Sequence, residues 1–284
     1  MTVVRTRHGE GATPASRPGQ DGSTSPPGGR SPVPLGSALD DRPRDLQLIV
    51  PAYNEQERLG ATLVALADHL RRLDLDASLR VIDNGSSDAT TEIVDQVNRD
   101  RRTPELTVSG CSDRGKGNAV ARGILTSPAR WVGFCDADLA TEPSAISPAV
   151  AYLREGWPVV IGSRRCPGAS RLTEQPLMRR AGSLAFRVAT RRVAGDLYDT
   201  QCGFKFFDGT AARRIFSGIR TTGFAFDVEV IARARALGFP IKEFPVTWDD
   251  QDRSTFRPVQ DGMAAARDVW RLRRTLHQSA RAEV

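Results

Sequence analysis

Two carboxylates, Asp136 and Asp138, stand one residue apart in the stretch GFCDADLA, directly after the apolar run Trp131 to Phe134. Side chains along a strand alternate, so positions i and i+2 point the same way, and both acids reach one point just past the strand's end. Like charges held that close repel unless a cation lies between them. A divalent ion there would relieve the repulsion and bridge phosphate oxygens, and hard oxygen donors suit Mg2+ or Mn2+ rather than zinc. The alternative is a surface turn with two solvated acids, since Asp-x-Asp alone is common. The buried strand ahead of the pair favours the metal.

Other stretches offer complementary chemistry. In RGKGNAV, glycines flank Lys116, so backbone can approach a ligand there while the lysine faces an anion. It lacks the spacing and the Ser/Thr of a Walker loop. Arg164, in GSRR, carries a fork that matches phosphate. Glu55, Asp227 and Glu229 occupy positions where a helix N-terminus by itself favours an acid.

The elements that would position these residues alternate in type. Strands are expected at 46–50, 79–82, 106–108, 131–135 and 159–161. Helices are expected between them, one with Leu59, Leu63, Leu66 and Leu70 at helical spacing. Ser87 or Asp88 is placed to cap the helix that starts near Thr90, and Asp208 or Thr210 the one at Ala211. Such alternation predicts an α/β fold, a mostly parallel sheet with helices on both faces. Ligands bind such sheets beyond the carboxyl ends of the strands, where PAYNE, DNGSSD and DADLA all fall. The second half is less regular: an Arg-rich helix over 176–194, a turn into a strand at DTQCGFKFF, a helix over 224–237, a strand over 241–248 broken at Pro245, and a last helix over 259–280.

Composition bounds the rest. The first 45 of the 284 residues hold seven Pro, seven Gly and five Ser, which reads as a disordered tail. Residues 46–257 then form the folded domain, and 258–284 a basic amphipathic helix and tail. No 18-residue apolar run or secretory leader is visible, so no membrane span is expected. Four widely spaced cysteines without a CxxC pair fit a reducing compartment. The net charge of +6 permits an anionic partner, but 37 of the 40 basic residues are arginine throughout the chain, so a single arginine says little.

The motifs LIVPAYNE, VIDNGSSDAT, GKGNAV and DADLA, in that order, resemble the inverting GT-A glycosyltransferases of family 2. GSRR, DTQCGFKFF and GFAFDVEVIARARALGFPIKEFPVTW are similar to the branch of dolichyl-phosphate glucosyltransferases and mannose synthases, the glucosyltransferases above all. The resemblance covers residues 46–257 and implies a GT-A (Rossmann-like) sheet. It implies that Pro51, Ala52, Tyr53, Glu55, Asp83 and Lys116 bind the nucleotide together with Asp136, that Asp136 and Asp138 hold Mg2+ or Mn2+, and that Arg164 meets the acceptor phosphate. Asp199, Gln201, Lys205 and Asp227 would shape the acceptor and sugar side. Three departures stand out. Asn84 occupies the place of a frequent second Asp, Ala140 replaces the Gln of the mannose synthases, and the late GSK reads RSTFR, so that Arg253 or Arg257 would replace its lysine.

The implied reaction is metal-dependent, inverting transfer of a hexose from a nucleotide diphosphate sugar, UDP-glucose in preference to GDP-mannose, to a polyprenyl phosphate. An ionised phosphate needs no strong base, which suits a chain with three histidines, none of them in a motif. A hydroxyl acceptor would need one, with Asp199 and Asp227 as candidates. The family also implies a cytoplasmic enzyme, peripheral at the inner face of the cytoplasmic membrane through the basic helices. A soluble transferase acting on a small hydroxylated acceptor is the second reading. A nucleic-acid-binding protein is the third, disfavoured by few aromatics and by acids dispersed through the pocket.

Overall fold

The computed structural model describes residues 44–101, 106–171, 190–191, 195–223 and 225–249. The alternation of the first half appears as β1 (Leu46–Ala52), α1 (Leu59–Leu70), β2 (Ala77–Asp83), α2 (Thr90–Arg101), β3 (Leu106–Gly110), α3 (Lys116–Leu125) and β4 (Trp131–Cys135). Strands β1, β2 and β4 are buried at every position, as expected of parallel strands covered on both faces.

A short 3-10 turn (Pro143–Ala145) leads into α4 (Ile146–Arg154), followed by β5 (Val159–Ser163) and β6 (Ser170–Arg171). The sequence reading did not include α4. Its buried residues Ile146, Ala149, Val150 and Leu153 keep helical spacing, and Pro148 is tolerated because it sits in the first turn. Then come β7 (Phe204–Asp208), α5 (Gly209–Phe216), α6 (Phe226–Ala236), β8 (Ile241–Pro245) and β9 (Thr247–Trp248). Asp208 is the N-cap of α5, accepting from the N–H groups of Thr210 and Ala211 at 2.9 and 3.2 Å. Pro245 divides the expected 241–248 strand: β8 joins the main sheet and β9 pairs with β6.

The seven-stranded sheet runs β3-β2-β1-β4-β7-β5-β8, and only β7 is antiparallel to its neighbours. It therefore has the α/β, mostly parallel form that the sequence predicts. One apolar cluster packs α1, α2 and α4 on one face; a second packs α3, α5 and α6 on the other. On the second face, a Cβ at Gly123 would lie 2.6 Å from Ile49, so glycine lets α3 close down on β1. All four cysteines are buried and none is in a disulfide.

Because β7 runs opposite to β4 and β5, its N-terminal end lies beside their C-terminal ends. The residues leading into β7 are thereby delivered to the edge where β1, β2 and β4 deliver their following loops.

Candidate active site

The loops after β1 and β2 are zipped together. Asn54 adopts φ 55°, and its Oδ1 accepts from Ser87 N at 2.8 Å. Its own N–H donates to Ser86 Oγ at 2.9 Å, and Glu55 N donates to Thr90 Oγ1 at 2.9 Å. Asp83 is buried at the end of β2 and accepts from Gly85 N and Ser86 N, which shapes the turn that follows. Of the two helix caps considered, Asp88 is the one that accepts from Thr90 N, at 3.0 Å. Pro51 and Ala52, expected to line the nucleotide pocket, are buried strand residues; Tyr53, 51% exposed, is the open member of that group. Glu55 is forked onto Arg58, a residue the sequence reading did not single out. That hydrogen bond, with the charges of Asp138 and Asp136 adding to it, raises the Arg58 pKa.

Lys116 lies at the start of α3, its Nζ 2.5 Å from Asp136 Oδ1. The flanking glycines meet protein, not a ligand. A Cβ at Gly115 would lie 2.4 Å from Thr222 O, and one at Gly117 2.5 Å from Thr221 O, while Gly117 N donates to Thr222 O at 2.9 Å. The 220–222 segment is held in turn by Glu229, which accepts from Arg220 N and Thr221 N at 3.0 and 2.7 Å. Glu229 thus binds the preceding segment rather than capping α6. Asn84 clamps the other side: Nδ2 donates to Asp113 O and Oδ1 accepts from Gly115 N, both at 2.7 Å. An aspartate at this position would lose the donor, which gives the departure at Asn84 a physical reason.

The two acids sit just past β4. Asp136 N donates to Gly203 O at 3.1 Å. Its side chain is 37% exposed, yet Oδ1 is sealed from solvent and meets Lys116 as an ion pair without an aligned hydrogen bond. Leu139, at φ 56°, turns the chain so that Asp138 Oδ1 accepts from Ala140 N at 3.1 Å. Burial first, and then the neighbouring Asp136 charge, push the Asp138 carboxyl above its ordinary value. Gly203 sets the floor, since a Cβ there would lie 2.1 Å from Asp136 Oδ2. Gly203→Ala is expected to swing that carboxylate away, lowering kcat/KM by about a hundredfold through misplacement, for about 1–3 kcal/mol of stability. Steady-state kinetics beside urea unfolding would separate the two effects.

On the β5 side, Arg164 is forked onto Asp199, with Nε to Oδ2 at 2.6 Å and a terminal nitrogen to Oδ1 at 2.9 Å. Its guanidinium lies 5.4 Å from the Trp248 ring centroid. Burial alone would raise the Asp199 pKa, but Arg164 outweighs it and holds the carboxyl below the usual range. Glu243, from β8, accepts from Tyr198 N and Asp199 N at 3.0 and 2.8 Å, and Gln201 N donates to Asp199 Oδ1 at 3.1 Å. Lys205 and Asp227, expected on the acceptor side, are instead buried against each other between β7 and α6. Lys205 also donates to Cys202 O at 2.7 Å. Strand alternation and the packing of α6 turn both inward. Arg253 and Arg257 lie outside the described residues, as do most of the 176–194 helix and all of the 258–284 segment.

Glu55, Asp136, Asp199 and Asp227 are held in ion pairs with Arg58, Lys116, Arg164 and Lys205, whereas Asp138 has no ion pair among the described residues. No described group of three or more His, Cys, Asp or Glu residues converges as a metal site. A cation here would therefore take protein oxygens from Asp136 and Asp138 and complete its shell from phosphate or water.

A model of Glycosyl transferase family 2 matches residues 47–216. The chain belongs to that family. It is a glycosyltransferase, with the GT-A sheet expected of one. Among its family relatives, the dolichyl-phosphate beta-glucosyltransferase of Dictyostelium discoideum is 34% identical over 241 residues, covering 80% of this chain and 73% of that protein. The human enzyme of the same name is 29% identical, covering 85% and 82%. Glycosyltransferase AglD of Haloferax volcanii is 29% identical over 80% of this chain and 37% of its own length. Glucosyl-3-phosphoglycerate synthase of Mycobacterium tuberculosis, solved with Mn2+, UDP-glucose and phosphoglyceric acid, superposes with a TM-score of 0.60 at 19% identity over 81% of this chain and 78% of that one. That likeness is one of fold.

Proposed function

We propose that this glycosyltransferase moves glucose from UDP-glucose to a polyprenyl phosphate with inversion at C1, using a divalent metal ion. The similarity to dolichyl-phosphate beta-glucosyltransferases supports the sugar and the acceptor class. The observation that carries the choice of acceptor is that both candidate general bases are already engaged. Asp199 is held by Arg164, and Asp227 is buried on Lys205. Among the described residues the one histidine, His69, lies on α1 and is hydrogen-bonded to Ser147. A hydroxyl acceptor would need a base, which neither Asp199 nor Asp227 is free to supply, whereas an ionised phosphate needs none.

In the proposed reaction an acceptor phosphate oxygen attacks C1 from the face opposite the leaving group. The new C1–O bond forms as the C1–O bond to the diphosphate breaks, UDP departs with that electron pair, and no proton moves. Asp136 and Asp138 fit Mg2+ or Mn2+: Asp138 has no ion pair among the described residues, Asp136 presents a sealed oxygen, and both are hard donors. When bound, the ion would neutralise charge on the departing diphosphate. Tyr53 and the loop after β1 would flank the nucleotide. The acceptor would be reached at the inner face of the cytoplasmic membrane; no described helix is long and apolar enough to cross one.

Incubation with radiolabelled UDP-glucose or GDP-mannose, polyprenyl phosphate and Mn2+ tests the reading. Butanol-extractable label from UDP-glucose is the expected result. Label from GDP-mannose alone would reassign the donor, and label confined to water-soluble product would reassign the acceptor.

A further inference from the structure

We propose that Lys116 is the resident counter-ion of Asp136, with which a divalent cation competes, so that metal is admitted together with an anion that takes the lysine over. That anion is a nucleoside diphosphate. The inference rests on the metal reading above.

The ammonium stands 2.5 Å from Asp136 Oδ1, an oxygen sealed from solvent. An ion approaching Oδ1 needs the ammonium's place. An ion approaching Oδ2 lies across one carboxylate from a like charge. Either way, Lys116 opposes metal binding while it keeps this position.

Its backbone cannot carry it away. Gly115 N is bonded to Asn84 Oδ1 and Gly117 N to Thr222 O, and neither glycine has room for even a methyl group against the 221–222 segment. Movement is left to the four-carbon side chain, which is 23% exposed and so not sealed in. A cation leaving one carboxylate needs another anion within reach. A diphosphate arriving beside the acid pair supplies it, and at the same time supplies oxygens to the metal. Metal and nucleotide then bind with strong mutual dependence, part of which resides in Lys116.

Mn2+ binding to the full-length chain, measured by electron paramagnetic resonance with and without UDP, tests this. Lys116→Gln is expected to bind Mn2+ about tenfold more tightly than wild type when UDP is absent. The factor by which UDP tightens Mn2+ binding should shrink correspondingly in the variant. A second measurement needs no variant. The chain has only three lysines, Lys116, Lys205 and Lys242. With 13C-labelled lysine, Mg2+ raised until it occupies the site without UDP, as judged by displacement of Mn2+, should move the Lys116 side-chain resonance and leave the other two in place. Equal or weaker Mn2+ affinity in the variant, or a Lys116 resonance indifferent to bound Mg2+, would overturn the competition and leave the metal reading standing. Absence of Mn2+ binding to either protein, with or without UDP, would overturn both.

Discussion

Asp138→Asn is expected to lower kcat/KM for glucosyl transfer by about 10²- to 10³-fold, the loss typical when one electrostatic support of a leaving group is removed. The same change should raise, not lower, the melting temperature of the metal-free protein near pH 7. Burial and the Asp136 charge push the Asp138 carboxyl upward, so its ionised form is a burden on the fold. Asparagine removes the charge and keeps the oxygen that accepts from Ala140 N. The sign gives a pH test. A carboxyl with a raised folded pKa destabilises above that pKa, and the penalty fades as protonation relieves it. The variant's advantage should therefore disappear below the ordinary carboxylate range, where the acid is neutral in folded and unfolded chains alike. Added Mn2+ should raise the melting temperature of wild type but not of the variant. Undiminished turnover in Asp138→Asn would remove this residue from the metal site.

Breaking the Lys205–Asp227 pair on one side should destabilise by about 3–5 kcal/mol, because it strands a buried charge. Lys205 is fully buried and Asp227 is 3% exposed, so water cannot solvate the survivor. Lys205→Met leaves a carboxylate whose pKa burial already raises, with Lys205 as the principal opposing charge. The double variant Lys205→Met/Asp227→Leu is expected to recover most of the loss, since an apolar pair of similar volume often replaces a buried ion pair at little cost. Urea unfolding of both single variants and the double variant closes the cycle. If Asp227→Asn kept full stability but lost turnover, Asp227 would return to the acceptor side.

The parts of the structure legible in the sequence are those written in local periodicity. Leu59, Leu63, Leu66 and Leu70 announce α1, and the apolar runs around Ile49 and Ile82 announce central strands. The same logic brings Asp136 to the end of β4. Pro148 masked α4, although its apolar residues keep helical spacing. What could not be read is pairing at a distance. Nothing local in DTQCGFKFF says that Gly203 lies under Asp136, that Lys205 turns inward to Asp227, or that Asp199 binds Arg164 from another strand. The glycines beside Lys116 suggested an approach to a ligand, and a close approach does occur, but to Thr221 and Thr222. Arg58, three residues after Glu55, was the one missed partner with a local signal, an acid and a base at helical spacing.

The lone reversed strand also bears on how the molecule is made. Strands β1 to β4, including the long-range β1–β4 pairing of Leu46 with Trp131, all precede β7 in the chain, so that parallel block is synthesised before β7. The β4–β7 seam joins Trp131 to Asp208 and Cys135 to Phe204, so it waits for a segment made about seventy residues later. Asp136 and Gly203 flank that seam. In a nascent chain the contact between Asp136 and Gly203 can therefore form only after strands β1 to β4 have been made.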